Sequence, residues 1–487
     1  MYGNRKYYSL LDLFSGCGGM SIGFQRAGFD ILGGVEYDVE AAKTYAKNLF
    51  RFADQETIER HGSARDINNY PPNHFALEFL NTEDLIHKVD VIIGGPPCQA
   101  FARIGRAKLR AIMEHEDAFL NDQRADLYLH FLMYVEQFKP KVVVMENVPE
   151  ILSFGGKNVG EEIAVSLGDL GYRAGYSLLN AAHFGVPQTR VRFFLIAYRN
   201  DLGLEPAFPN PSHDVVTRNN MYVFPANGRA EKSKVMQHEL LDKERWSEFD
   251  HYIGLIDPGD EELPYAVSVG DAIGDLKVID GSRLDKPPSK DDFAIKISYQ
   301  KEANSDFVRS MREWPGFETD VGVDAHVVRS VNDRDFEIYK RMKPGDQYPQ
   351  AYAIAWENFA RKIKSMIERG ESIPDRKSKA FDELMKSSVP PYPTDKFPNK
   401  WQKLDPDEPA HTITAHLSKD TYSHIHYDSN QARTISVREA ARLQSFPDGF
   451  RFPATLTHSF RQIGNAVPPL LAYRIAEKIR ADLESAD

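Results

Sequence analysis

The stretch Asp12-Leu-Phe-Ser-Gly-Cys-Gly-Gly19 ends a strand-like run, residues 7–14, and leads into a helix-like pattern over residues 20–27. Glycines in a strand-to-helix turn let a ligand approach the backbone beside a helix N-terminus. Glu36 closes the next strand-like run, residues 31–37, and lies 20 residues after Gly16, which suits a carboxylate that accepts hydrogen bonds from ribose hydroxyls. This pattern fits NAD, FAD and S-adenosylmethionine about equally. A purely structural turn with a solvated Glu36 is the alternative.

Three further strand-like runs, at residues 89–95, 141–148 and 191–199, continue the alternation of strands and helices. Such alternation predicts a doubly wound α/β sheet with its site residues at the carboxyl ends of the strands. The pattern ends near residue 205 and stays irregular and proline-punctuated until about residue 430, and regular patterns return at 437–444 and 470–483. We therefore predict a catalytic domain at 1–205, an inserted second domain at 206–430, and a return segment at 431–487 that completes the catalytic domain.

The composition of the 487 residues, 42% apolar and 27% charged, is that of a globular protein. The net charge of −11 argues weakly against a nucleic-acid partner, although clustering of basic residues on one surface matters more. No apolar run reaches membrane-spanning or signal-peptide length, so we expect no membrane partner and a cytoplasmic location, or a nuclear one in a eukaryote. The two cysteines form neither a disulfide framework nor a good zinc site, so no metal is expected.

Cys98 follows a rigid turn in the segment Gly94-Gly-Pro-Pro-Cys-Gln-Ala-Phe101. Two glycines and two prolines fix the backbone there, so the thiol should project from the edge of the sheet. A thiolate is intrinsically very nucleophilic, even though an ordinary thiol pKa of about 8.5 leaves little of it ionised at neutral pH. A lone free cysteine is usually a small packing residue, and we interpret Cys17, inside the glycine turn, in that way.

Glu146 ends the buried strand-like run Val142-Val-Val-Met-Glu-Asn-Val148. A buried acid costs free energy unless it is used or paired, and its raised pKa suits proton donation; a structural acid is the alternative. Arg190 and Arg192 alternate by two in the next strand and so share one face. Guanidinium groups there can hold a phosphate or a base carbonyl oxygen. The alternative for the arginines is a solvated basic edge strand.

Asp66, in Ala64-Arg-Asp-Ile67, is a candidate acceptor for the exocyclic amine of adenine, though taken alone it reads as a surface acid. Together with the other motifs it forms a set that resembles the DNA cytosine-5 methyltransferase family. The matching segments occur in the family's order and cover nearly all of the chain except the middle: Asp12 to Gly19, Glu36 with Tyr37, Asp66, Gly95 to Gln99, Glu146 to Val148, Gln188 to Arg192, Arg438 to Pro447, and Arg461 to Pro468.

The resemblance implies a Rossmann-like, doubly wound methyltransferase domain with an inserted, irregular target-recognition domain. It also implies S-adenosylmethionine as cofactor, double-stranded DNA as partner, and a cytosine flipped out of the duplex so that it can reach the thiol. By the resemblance, Cys98 is the nucleophile, Glu146 contacts the cytosine ring, Arg192 holds the base carbonyl oxygen and Arg190 supports the site. The implied cofactor-binding residues are Phe14, Gly16, Gly18, Gly19, Glu36, Asp66, Ile67, Pro96, Asn465 and Val467.

The segment after Cys98 carries basic residues and no acid over positions 103–110. We interpret it as a mobile loop that closes over the DNA backbone, with Gly105 as its hinge; a solvated basic loop is the alternative. The expected DNA contacts are Gln99, Arg103, Arg106, Lys108 and Arg110. Ala102 stands where the family usually has serine, which should alter loop contacts without removing the chemistry.

Two other functions remain open from the sequence. The related enzymes that act on tRNA cytosine also carry Pro-Pro-Cys and Glu-Asn-Val, but the long region 205–430 favours DNA, because the family's sequence readers lie there. A catalytically inactive DNA-binding regulator is disfavoured by the intact Cys98, Glu146 and Arg192. A nicotinamide dehydrogenase would explain the glycine turn alone. Neither the recognised DNA site nor the existence of a cognate restriction endonuclease follows from the sequence.

Overall fold

The structure is a computed structural model that describes residues 7–97, 127–215, 249–254, 263–283, 286–303, 305–395 and 397–486. Its strands are β1 (Tyr8–Leu13), β2 (Phe29–Val35), β3 (Val91–Gly94), β4 (Val142–Asn147), β5 (Tyr172–Asn180), β6 (Gln188–Thr189), β7 (Val191–Arg199) and β8 (Ala410–His411). The first six α-helices are α1 (Gly19–Arg26), α2 (Val39–Leu49), α3 (Gln55–His61), α4 (Pro72–Phe75), α5 (Leu127–Phe138) and α6 (Val159–Asp169). The later ones are α7 (Val269–Ile273), α8 (Lys290–Ala294), α9 (Asp306–Arg312), α10 (Asp333–Tyr339), α11 (Tyr348–Glu368), α12 (Lys379–Lys386), α13 (Val437–Leu443), α14 (Leu456–Asn465) and α15 (Pro469–Ala486). None of the helices in these ranges is long and apolar enough to cross a membrane.

A six-stranded sheet in the order β2-β1-β3-β4-β7-β5 lies at the centre. The strands β1 to β4 pair in parallel, whereas β7 runs antiparallel to both β4 and β5. Leu13 at the end of β1 pairs with Val35 and Gly94, so the carboxyl ends of these strands meet at one edge. Because β7 is antiparallel, its first residues lie at that same edge, with Phe193 opposite Asn147.

Both faces of the sheet are buried. Leu10 and Val144 contribute to an apolar cluster that includes α1 and α15, whereas Leu11 and Val143 contribute to another that includes α5 and α6. Continuous apolar runs are typical of parallel strands covered on both faces. The doubly wound α/β sheet predicted from the sequence is therefore confirmed.

The strand boundaries differ little from the predicted ones, and β5 and α11 are among the elements that were not predicted. The run at 191–199 is β7 as expected, and β2 lies two residues earlier than its predicted run. β5 was missed, although it supplies nine residues to the sheet. The region 206–430 is not irregular throughout, because α11 extends over 21 residues there and buries one face of helical spacing, made of Tyr348, Ala351, Ala355 and Phe359.

The last helix closes the apolar cluster that covers one face of the sheet. α15 packs on α1 so closely that a Cβ on Gly23 would lie 2.6 Å from the Cβ of Ala472. Trp314, from the middle of the chain, is buried in the same cluster. Residues 338–432 contain a separate apolar cluster, which includes Tyr348 and Trp401.

Candidate active site

A cavity of about 860 Å³ opens at the carboxyl edge of the sheet. Both ends of the chain contribute to it, since its lining residues lie within 12–41, 65–68, 95–97, 127, 146–148 and 461–467. The cavity is large enough for a ligand of cofactor size. Its position at the ends of parallel strands is where α/β folds of this kind bind their ligands.

The glycine turn forms the floor of the cavity. Phe14, Gly16 and Gly18 have positive φ angles of 59°, 54° and 92°, so the chain reverses sharply between β1 and α1. A Cβ on Gly19 would lie 2.5 Å from the carbonyl oxygen of Val467, which explains why glycine is needed where the two chain ends meet. Gly18 does not line the cavity; its Cβ position faces Tyr45 instead.

Glu36 is held rigidly at the end of β2. Its Oε2 accepts a hydrogen bond from the Gly16 N–H at 2.8 Å, and its Oε1 accepts one from the Asp38 N–H at 2.7 Å. Burial raises the pKa of Glu36, and these two N–H groups oppose that rise. Asp12 is buried nearby, where desolvation raises its pKa to about 8 while the hydroxyl of Ser21, donating at 2.6 Å, lowers it.

Asp66 and Ile67 line a second side of the cavity. The Oδ1 atom of Asp66 accepts from the backbone N–H of Asn68 at 3.0 Å and from its side-chain amide at 2.8 Å. These bonds fix the direction of the carboxylate, because Asp66 caps a short turn of helix at Ile67–Asn69. The cavity therefore presents two oriented carboxylates, those of Glu36 and Asp66.

The turn that leads to the predicted nucleophile lies beside Glu146. Pro96 and Pro97 line the cavity, and the amide of Asn147 donates to the Pro96 carbonyl oxygen at 2.8 Å. A Cβ on Gly95 would lie 3.2 Å from Oε2 of Glu146. Cys98 follows Pro97 directly and lies outside the described residues, as do Gln99, Ala102, Arg103, Arg106, Lys108 and Arg110.

Glu146 and Arg192 form a buried ion pair at the end of β4. Nε of Arg192 lies 3.2 Å from Oε1 of Glu146, and each side chain is only 13% exposed. Burial raises the pKa of Glu146, while the positive charges of Arg192 and Arg190 lower it. A carboxyl group in this setting can share a proton with a bound ligand, and the guanidinium beside it can donate a hydrogen bond to a ligand oxygen.

Arg190 does not line the cavity. It is 2% exposed and donates to the carbonyl oxygens of Ile413 at 2.7 Å and Gly464 at 3.1 Å. The basic edge strand considered for this segment is therefore not what the structure shows, since Arg190 is enclosed. Through its bond to Gly464, Arg190 contacts the residue that immediately precedes the cavity residue Asn465.

A model of the family described as C-5 cytosine-specific DNA methylase matches residues 8–481. The chain belongs to this family. The methylase is 40% identical over 485 residues to the predicted type II methyltransferase M.OihORF3336P of Oceanobacillus iheyensis, with 99% of this chain and 97% of the relative covered. It is 29% identical over 490 residues to the type II methyltransferase M.AgeI of Thalassovita gelatinovora, with 96% and 98% covered.

A crystal structure of a predicted DNA modification methyltransferase encoded within an E. coli prophage has the same fold as the methylase. The TM-score is 0.60 at 23% identity, with 98% of this chain and 99% of that chain covered. The central sheet is thus that of a Rossmann-like methyltransferase. With the family and the relatives, the methylase is an enzyme that transfers a methyl group to carbon 5 of cytosine in DNA, and the tRNA alternative is not supported.

Several residues of the methylase that line the cavity were not predicted. Arg461 of α14 donates to Oδ2 of Asp38 at 2.6 Å and so links two walls that lie 423 residues apart. No sequence pattern predicts this pair, because its partners meet only after the chain has folded. Among the described residues no group of histidine, cysteine and acidic side chains could hold a metal ion. Cys17 is 2% exposed, and burial raises the pKa of its thiol to about 12.

Proposed function

We propose that the methylase takes its methyl group from S-adenosylmethionine bound in the cavity at the carboxyl edge of the sheet. The charges of the lining residues support this choice over NAD or FAD. Five acidic side chains line the cavity, those of Asp12, Glu36, Asp38, Asp66 and Glu146. Burial raises the pKa of Asp12 to about 8, Asp38 is paired with Arg461, and Glu146 is paired with Arg192. Glu36 and Asp66 are therefore the lining carboxylates that have no basic partner among the described residues. The two lining arginines are already paired, Arg65 with Glu78 and Arg461 with Asp38. Such a cavity favours a cationic sulfonium and disfavours a pyrophosphate.

Glu36 would accept hydrogen bonds from the ribose hydroxyls, and Asp66 would accept one from the adenine amine. Phe14, Gly16, Gly19, Ile67, Pro96, Asn465 and Val467 would enclose the rest of the cofactor, since all of them line the cavity. Gly18 would contribute through the shape of the turn alone. The cofactor supplies an electrophilic methyl group, and the residues of this chain bind and orient it.

Replacing Glu36 by alanine is expected to weaken binding of S-adenosylmethionine by about 1–3 kcal/mol, the range for a lost acceptor in a buried hydroxyl pair. Titration calorimetry of the purified methylase measures this directly. Glu40→Ala is a matched control, because Glu40 pairs with the exposed Lys43 and does not line the cavity. Equal affinity of the Glu36→Ala variant and the unmodified methylase would remove Glu36 from the cofactor site.

The chemical step is proposed to be covalent. Carbon 5 of cytosine is a poor nucleophile, and addition of the Cys98 thiolate to carbon 6 makes it enamine-like. Glu146 would hold a proton at N3 as charge develops on the ring, and Arg192 would hold the base carbonyl oxygen. Methyl transfer would leave S-adenosylhomocysteine. The C5 proton would then leave to water, its electron pair would re-form the C5–C6 double bond as the C6–sulfur bond breaks, and the proton at N3 would return to Glu146, which restores the thiolate and the acid. The observation that carries this proposal is the buried pair of Glu146 and Arg192 beside the Pro96-Pro97 turn.

Binding of DNA is proposed to require flipping of the target cytosine, at a cost of a few kcal/mol. Gln99, Arg103, Arg106, Lys108 and Arg110 would contact the DNA around the flipped base, and the three arginines and Lys108 would place their positive charge on the phosphates. We also propose that the methylase is cytoplasmic and that a cognate restriction endonuclease acts as a separate protein. The direct test is bisulfite sequencing of DNA from cells that express the methylase. Cytosines should be protected within one short sequence, and the absence of any protected site would contradict the proposal.

Region 206–430 is proposed to choose the target sequence, while 1–205 and 431–487 carry out the chemistry. It lies between two blocks of residues that together line the cavity, and it has an apolar cluster of its own at 338–432. Exchanging this region for that of a relative with another specificity should change the methylated sequence without lowering the rate on the new site more than modestly. Bisulfite sequencing reads the result. An active chimera that keeps the original target would show that the region does not select it.

A further inference from the structure

Arg65 lies next to Asp66 and is buried against the wall of the cavity, with 7% of its surface exposed. Its Nη1 donates to the carbonyl oxygen of Ser63 at 2.6 Å, and its Nη2 donates to that of Arg60 at 2.6 Å. Its Nε lies 3.2 Å from Oε2 of Glu78, and Nη2 forms the second bond of this two-pronged ion pair. The guanidinium therefore links the end of α3 and the residues after it, 60–66, to the helical segment Ala76–Leu80.

The ion pair continues into the core through two tyrosines. The hydroxyl of Tyr70 donates to Oε2 of Glu78, and the hydroxyl of Tyr134 in α5 donates to the carbonyl oxygen of Tyr70 at 2.6 Å. Burial alone would raise the pKa of Glu78, but the hydrogen bonds from Arg65 and Tyr70 outweigh it and lower that pKa. Glu78 is therefore ionised at neutral pH, and the pair is one of opposite charges.

The same arginine connects the two carboxylates of the cofactor site. The backbone N–H of Arg65 donates to the carbonyl oxygen of Glu36 at 2.7 Å, and Asp66 is the next residue. Among the described residues, Oδ1 of Asp66 takes both hydrogen bonds from Asn68 and Oδ2 takes none. The backbone of Arg65 thus connects Glu36 to the segment from which Asp66 projects, and the Arg65 side chain anchors that segment to Glu78.

We propose that Arg65, held by Glu78 and Tyr70, is a positioning residue that gives the methylase its selectivity for adenine over hypoxanthine in the cofactor. This inference rests on the proposed function, which assigns Asp66 to the adenine amine. Hypoxanthine carries a carbonyl oxygen where adenine carries that amine, and a fixed carboxylate repels it. If Asp66 were held loosely, the carboxylate could turn away and accept either base.

The test compares binding of S-adenosylhomocysteine with binding of S-inosylhomocysteine by titration calorimetry of the full-length methylase. The unmodified protein should prefer the adenine compound by roughly 10-fold or more, the effect of one hydrogen bond to a charged group. Arg65→Met keeps most of the apolar stem and removes every N–H donor. In this variant we expect the preference to fall severalfold and KM for S-adenosylmethionine to rise. The kcat at saturating cofactor should change by less than about threefold, since no group that meets the cytosine is altered.

Glu78→Gln should lower the preference in the same direction, because a neutral amide cannot hold the guanidinium as strongly. Arg173→Met is the matched control, since it removes an exposed arginine pair with Glu205 far from the cavity, and it should leave the preference unchanged. Tyr70→Phe is a milder change that keeps the test decisive if Arg65→Met fails to fold, and it should produce a smaller loss.

The outcomes distinguish a failure of the positioning role of Arg65 from a failure of the assignment of Asp66 to adenine. If the unmodified methylase shows no preference, or if Asp66→Asn retains it in full, the assignment of Asp66 to adenine is wrong. If Asp66→Asn loses the preference while Arg65→Met and Tyr70→Phe keep it and merely lower the melting temperature, Arg65 is structural only and the inference is overturned. Loss of the preference in Asp66→Asn, Arg65→Met and Tyr70→Phe, with the Arg173→Met control unchanged, supports the inference.

Discussion

Duplex DNA with 5-fluorocytosine at the target position is expected to become covalently attached to the methylase through Cys98. Addition of the thiolate to carbon 6 and methyl transfer to carbon 5 can both proceed on this substrate. Release then requires loss of the substituent at carbon 5 as a cation, which hydrogen can do and fluorine cannot. The adduct should survive denaturing electrophoresis, carry the transferred methyl group, and map to the peptide that contains Cys98.

The two cysteines of the chain provide the control. Cys98→Ser should form no adduct and should lose about four or more orders of magnitude in kcat, because a hydroxyl is far less acidic than a thiol. It should still bind DNA. Cys17→Ser should still be trapped, since Cys17 is buried and desolvation raises the pKa of its thiol to about 12. An adduct on Cys17, or a normal rate in Cys98→Ser, would overturn the covalent mechanism.

Replacing Glu146 by glutamine should lower kcat by about 10²–10⁴-fold, the usual contribution of a positioned proton donor. The amide keeps the size of the side chain and can accept from Arg192, but it cannot transfer a proton to N3. Single-turnover transfer of a labelled methyl group measures the effect on the chemical step. Exchange of the cytosine C5 hydrogen with solvent should also be lost, because that exchange requires the intermediate that Glu146 stabilises.

Glu150→Gln is the matched control for this change. Glu150 is exposed and follows β4 by three residues, and its charge also acts on Arg192. Burial lowers the pKa of Arg192 and both carboxylates raise it, Glu146 more than Glu150. A role of Glu146 limited to neutralising Arg192 should therefore leave both variants slow, Glu146→Gln more so. We expect instead that Glu150→Gln transfers methyl groups at close to the normal rate. A slow Glu150 variant with an active Glu146 variant would contradict the proposed proton role.

The parts of the fold that could be predicted from the sequence are those encoded by neighbouring residues. The turn after β1 could be predicted because its glycines lie within a few positions of one another, and Gly16 and Gly18 adopt the positive φ angles that such a turn requires. β4 is visible because four consecutive apolar residues precede Glu146. α11 could also have been found: Gln347 and Gln350 form a capping box, a proline stands in the first turn, and its buried residues recur at helical spacing.

The parts that could not be predicted depend on contacts between distant segments. Arg190 alternates with Arg192 in the sequence, yet Arg190 lies just before β7 and donates to the carbonyl oxygens of residues 413 and 464, and only Arg192 reaches Glu146. The hydrogen-bonded group of Arg65, Glu78 and Tyr70 could not be predicted, because no regular spacing in the sequence marks these residues as partners. The neighbouring residues in the sequence do not distinguish a buried arginine from an exposed one. The free energy of burying an arginine depends on the partners that lie beside it in the folded protein.

The cavity is lined by residues from near both ends of the chain, so it can form only late in synthesis of the methylase. The Sγ atom of Cys17 contacts the carbonyl oxygen of Gln462, and these residues are separated by 445 positions. At an elongation rate of about 5–20 residues per second, a ribosome needs roughly 20–90 s to pass from one to the other. Throughout that time the nascent chain has one wall of the cavity and lacks the other. The region that we propose to select the target is completed before the second wall is made. Every polypeptide that acquires both walls therefore already carries this region, and on the proposed division of roles no translation intermediate has a complete cavity without it.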